Sequence, residues 1–121
     1  MAQKQTTPAF RMEIKPEGTC QLVNLHGSLA DDANLEAKES FLKLLNAKPA
    51  RIVLDFTDLE YISSSGIGLL VSILRRCRQQ GISMPVCCMK PEVFELFKLT
   101  KLTQIFEIHE SLQKALNPAA Q

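Results

Sequence analysis

Residues 51–81, RIVLDFTDLEYISSSGIGLLVSILRRCRQQG, decide the fold. Arg51 to Phe56 is short, apolar and rich in β-branched residues, the composition of a strand covered on both faces. Ser63-Ser64-Ser65-Gly66 then leads into Ile67 to Gln80, nearly apolar on all sides in its first half and arginine-rich at its end. This predicts a helix: a serine can cap its start, Arg75, Arg76 and Arg78 complement the negative end of its dipole, and Gly81 stops it. A covered strand followed by a buried helix is half of a β-α-β unit, so the neighbouring segments should supply parallel partners.

Working upstream, Phe10 to Lys15 alternates like a short strand, Pro16-Glu17-Gly18 is turn chemistry, and Cys20 to His26 reads as a second strand, which makes a hairpin. Asp31 or Asp32 can cap a helix whose apolar stripe is Leu35, Phe41, Leu42 and Leu45, and Pro49 closes the connection after it. Downstream, Met84 to Met89 reads as a buried strand. Pro91 suits the first turn of a helix carrying Val93, Phe94, Leu96 and Phe97. Phe106 to His109 reads as a last strand, and Ser111 can cap a final helix through Leu116. The order β-β-α-β-α-β-α-β-α predicts a single α/β domain over residues 10–116, with a mixed, mostly parallel sheet and right-handed crossovers. Val53, Leu54, Leu70, Ile73, Leu74 and Val86 should share one core, and residues 1–9 and 117–121 read as flexible tails.

Composition excludes several classes of function. Fourteen basic residues against thirteen acidic ones, with no single-sign block, leave no footprint for nucleic acid. The N-terminus has no apolar signal-peptide core and nowhere do eighteen apolar residues run together, so no membrane insertion is expected and the cytoplasm is the expected location. Cys20, Cys77, Cys87 and Cys88 show no C-x-x-C spacing and read as reduced thiols. Cys87 and Cys88 with His26 or His109 match no zinc pattern and read as small buried hydrophobes, so neither metal nor cofactor is expected. There is no G-x-x-x-x-G-K-[ST], G-x-G-x-x-G or G-x-S-x-G, and neither histidine is tied by motif to a nucleophile, so no enzyme and no catalytic residue is expected. Gly66-Ile67-Gly68 reads as a place for close helix packing.

The loop from Thr57 to Ser65 follows a strand's carboxyl end, where open α/β sheets gather ligands and partners. One serine hydroxyl of Ser63, Ser64 and Ser65 can simply cap the helix. The same exposed N–H groups and positive dipole end also favour a phosphate there.

RIVLDFTDLEYISSSGIGLLVSILRRCRQQG resembles the central strand, loop and helix of STAS domains in anti-sigma-factor antagonists. VNLHGSLA is similar to that family's second strand and following loop, and LTKLTQIFEIHES to its third helix and last strand, so the resemblance covers roughly residues 10 to 116. It implies a protein-binding switch in bacterial transcription regulation. The partners would be an anti-sigma factor that is also a serine-protein kinase, and a serine phosphatase. The family's kinase phosphorylates the first serine of an Asp-Ser-Ser/Thr-Gly motif, which carries over to Ser64, with Ser63 and Ser65 as runners-up. Ser28, Asp31, Asp32, Ser63, Ser65, Gly66 and Ile67 are the expected partner-binding residues, on a face shared by the Gly27 to Asp32 turn, the Thr57 to Ser65 loop and the first turn of the helix. The chain departs from the pattern at Ser63 and Ala30, where the family usually has Asp, and at Lys101, where it often has Gly after a helix. The alternatives are a STAS interaction module of a transport system or another signalling assembly, without phosphorylation, and a nucleotide sensor, for which no phosphate-binding glycine loop is present.

Overall fold

The computed structural model describes residues 9–117, so the expected tails fall outside it except for Ala9 and Asn117. Strands β1 (Arg11–Glu17) and β2 (Cys20–Leu29) form the expected hairpin, with Glu17 opposite Cys20. Gly18, at φ 66°, supplies the left-handed residue that so short a loop needs. Helix α1 (Asp32–Asn46), strand β3 (Arg51–Asp55), strand β4 (Leu59–Ile62), helix α2 (Ser64–Gln79), strand β5 (Val86–Cys87), helix α3 (Pro91–Leu99), strand β6 (Ile108–His109) and helix α4 (Leu112–Leu116) follow, with a 3-10 turn at Leu102–Gln104. Pro91 opens α3, and the hydroxyl of Ser111 caps α4 by accepting from the Lys114 N–H at 3.2 Å, both as expected.

The sheet runs β1-β2-β3-β5-β6, antiparallel in the hairpin and parallel elsewhere. The sequence reading missed β4, which sits inside the expected loop. β2 is ten residues long and outruns β3: Cys20 to Asn24 pair with Arg51 to Asp55, and beyond a register shift at Gly27/Ser28 the strand pairs with β4 instead. The pairing partner, rather than any local pattern, makes Leu59–Ile62 extended.

Strand alternation divides the apolar side chains between two faces. Val23, Leu25, Ile52, Leu54 and Val86 pack with Phe41, Leu44 and Leu45 of α1, Leu70, Ile73, Leu74 and Cys77 of α2, and Val93 and Phe97 of α3. Leu22, Val53 and Cys87 face the other way and are covered by Ala115 of α4. Five of the six expected core residues therefore share one core, and Val53 belongs to the other. A strand buried on both faces gives no sequence signal for which residue points where.

Three further expectations need correction. Asp31 occupies the position before α1, but with φ 54° and ψ −121° its side chain makes no capping bond, and Asp32 is already helical. Leu35 is 64% exposed, so the buried stripe of α1 is Ala37, Phe41, Leu44 and Leu45. Phe94 is only partly covered, at 38% exposed, with the Lys98 ammonium 5.6 Å from its ring centre, and the buried aromatics here are Phe97 and Phe106.

Candidate functional site

β4 and the start of α2 bring the serine cluster against the end of β2. The Ser63 N–H donates to Leu29 O at 3.1 Å, and the Gly27 N–H donates to Asp58 O at 3.0 Å. Extended backbone at Ser63 (φ −83°, ψ 169°) lets its Oγ accept from the Gly66 N–H at 3.0 Å, which makes Ser63 the cap of α2. Ser63 Oγ also lies 2.9 Å from Ser65 Oγ, and Ser65 Oγ accepts from Asn34 Nδ2 at 2.8 Å. Ser63 and Ser65 thus use their hydroxyls to fix the helix start and to tie it to α1. Ser64 stands exposed at the first helical position between them.

The Gly27 to Asp32 turn, β4 and the first turn of α2 are therefore neighbours in space. Asp31, Asp32, Ser64 and Ser65 are exposed, and Ser63 and Ile67 are half-buried, Ile67 packing against the main core. Ser28 and Gly66, also expected on this face, are both buried beneath it. Ser28 pairs with Tyr61 of β4 in the sheet. Gly66 lies so close to β2 that a Cβ there would fall 2.4 Å from Leu29 O. Gly68 meets nothing within 4 Å, so the close packing expected of the Gly66-Ile67-Gly68 pair belongs to Gly66 alone.

The first turn of α2 carries no acidic residue, so a negative group at Ser64 would meet free N–H dipoles and no carboxylate within that turn. Sequence reasoning missed Asn34, because a lone amide in the first turn of α1 has no motif. It also missed Tyr61, 52% exposed on β4 next to the cluster.

Neither histidine brings a ring nitrogen into the group formed by the Cys87 and Cys88 thiols. His26 lies between Glu13 and Asp58, 3.3 Å and 3.5 Å away, and His109 Nε2 lies 2.6 Å from Glu107 Oε2. All four cysteines are free thiols. Among the described residues, the metal-ligating atoms that converge are those of Asp55, Cys87 and Cys88. No helix of the described residues is long and apolar enough to cross a membrane.

A family model described as the STAS domain matches residues 11–115. The chain belongs to the STAS domain family. Among solved structures, this STAS domain is similar to an anti-sigma factor antagonist from Mycobacterium paratuberculosis, at 17% identity and TM-score 0.77, over 93% of this chain and 96% of that one. It is similar to the Bacillus cell fate determinant SpoIIAA in its phosphorylated form, at 18% identity and TM-score 0.68, over 91% and 98%. It is also similar to a sulfate transporter family protein from Wolinella succinogenes, at 12% identity and TM-score 0.72, over 85% and 86%. At these identities the likeness establishes the STAS fold that the elements above display.

Proposed function

We propose that this STAS domain is an anti-sigma-factor antagonist, a cytoplasmic protein-binding switch without catalytic activity, set by phosphorylation of Ser64. The observation that carries the reading is the division of labour among the three serines. Ser63 and Ser65 hold the start of α2 through Gly66 and Asn34, while Ser64 is exposed beside them. A kinase can therefore reach Ser64 without dismantling the cap, and the fold survives the modification. A phosphate there adds about −1.5 to −2 charges and a bulky group to the surface where a partner docks.

The docking face consists of Asp31, Asp32, Ser63, Ser65 and Ile67 around Ser64, shaped from beneath by Ser28 and Gly66. The partner is an anti-sigma factor with serine kinase activity, and a serine phosphatase resets the switch. The solved phosphorylated form of the Bacillus cell fate determinant SpoIIAA supports this reading. Trypsin releases Ile52 to Arg75 as one peptide, because no Lys or Arg interrupts it. Mass spectrometry of that peptide after incubation with the partner kinase and ATP should place one phosphate on Ser64. An unmodified peptide refutes the switch.

A second reading is an interaction module of a transport or other signalling assembly, without phosphorylation. It is favoured by the likeness to the transporter family protein and by Ser63 and Ala30, which stand where antagonists usually carry Asp. Capture of a transporter component instead of a kinase decides for it.

A further inference from the structure

At the carboxyl end of the sheet, the face covered by α4 changes from aliphatic residues to polar and sulfur-bearing ones. Register sets Asn24 beside Asp55, Asp55 beside Cys87 and Cys87 beside His109, so these four positions share one face. Strict alternation would send the next residue, Cys88, to the opposite face. Its backbone is instead left-handed, at φ 64°, and its thiol comes round to the same side. One ligand atom each from Asp55, Cys87 and Cys88 then lies within 4.8 Å of the others. A non-glycine residue held in this conformation is strained, and such strain collects where a side chain has to be aimed.

Asp55 adds an independent observation. Its carboxylate is buried, with the residue 7% exposed, yet among the described residues it has no basic partner. Oδ1 accepts from the Thr57 N–H at 2.9 Å and the Thr57 hydroxyl at 2.6 Å, and Oδ2 accepts from Asn24 Nδ2 at 2.9 Å. These bonds orient the group, as the outer partners of a ligating carboxylate do, and leave Oδ2 a lone pair. They do not neutralise its charge, and a buried charge without a counter-charge is costly.

We propose that Asp55, Cys87 and Cys88 form a binding site for one zinc ion. Two sulfurs and one carboxylate oxygen suit a borderline-soft divalent cation, and they leave a fourth position to water. The ion supplies the counter-charge that Asp55 lacks and accounts for the left-handed backbone at Cys88. Ligation by both sulfurs displaces one proton from each thiol to solvent. Cys88 also lines a cavity of about 710 Å³ with Met89, Phe94, Phe106 and His109, which gives the ion a route in.

The test titrates the reduced, full-length protein with Zn²⁺ against a chromophoric chelator, and with Cd²⁺ to read the ultraviolet thiolate-to-metal band. One ion per chain and a thiolate band are expected. Cys88→Gly removes the thiol while relieving the left-handed strain, so it should fold at least as well as the parent and bind zinc at least about tenfold more weakly. Asp55→Asn should also weaken binding but keep the band, whereas Cys20→Ser and Cys77→Ser should change neither. Absence of the band, undiminished affinity in Cys88→Gly, or equal loss in Cys20→Ser overturns the site.

Discussion

The carbonyl oxygen of Leu29 occupies the space into which Gly66 would project a side chain, 2.4 Å from where its Cβ would sit. The end of β2 and the start of α2 therefore touch backbone to backbone. Gly66→Ala has to push them apart and should cost about 1–3 kcal/mol, the usual range for overpacking. Gly68→Ala, two residues on and open to solvent, should instead stabilise α2 by up to about 1 kcal/mol through helix propensity. Urea denaturation of the two variants side by side checks the contrast, and equal effects would contradict it.

Ser64→Ala should bind the isolated kinase as firmly as the unmodified protein and should go on binding in the presence of ATP. Ser64→Glu should bind a few-fold more weakly, because it adds charge at the proposed docking surface. The substitute carries one charge and two acceptor oxygens, so a modest loss is the expected size. Tighter binding by Ser64→Glu than by Ser64→Ala, measured by calorimetry, would reject the proposed switch.

Lys101 keeps the left-handed conformation, at φ 63° and ψ 21°, that a glycine after α3 would adopt without strain. Lys101→Gly should raise the unfolding free energy by about 1 kcal/mol, part of it offset by the greater freedom of glycine in the unfolded chain. The denaturation midpoint should move up with an unchanged slope.

Much of this was legible because its causes are local. The capping serine and terminal arginines of α2, the proline opening α3, the serine cap of α4 and the glycine of the hairpin each act within a few residues. What the sequence hid depends on contacts between distant segments. β4 becomes a strand only because β2 outruns β3, and Val53 points to the α4 face through a register that no local pattern encodes. Asp55 and Cys87 are far apart in sequence and meet only when β3 and β5 pair, so spacing rules for metal ligands could not bring them together. At the candidate site, the serine trio could be read in advance. Its support by Asn34 could not, because the partner comes from another helix.

Glu107 gives the protein a dependence on acid. Burial pushes its carboxyl up, but hydrogen bonds and charge from His109 and Arg51 outweigh this and hold it below its usual value of 4.5. Arg51 Nη2 and His109 Nε2 both lie 2.6 Å from Glu107 Oε2. A carboxyl lowered in the folded state stabilises above its unfolded value, and that contribution is lost as pH falls through the folded value. Stability should therefore decline below about pH 4.5, and Glu107→Gln should make that decline shallower while costing some stability at neutral pH. Parallel unfolding curves for the two proteins across this range would refute the assignment. The difference should be small, since the carboxylate is 42% exposed and solvent screens it.

Among the described residues, the opening hairpin leaves β1 at the margin of the sheet, with its outer row of backbone groups available to template another chain. Arg11, Glu13, Lys15 and Glu17 are exposed along it, and Pro16 withholds a donor near its end. A chain approaching this strand meets charges to desolvate and a gap in the hydrogen-bond ladder, which is how natural sheets resist fibrillar association. A protein proposed to exchange partners beyond the carboxyl end of β2 thereby has the neighbouring margin guarded against sticking to copies of itself.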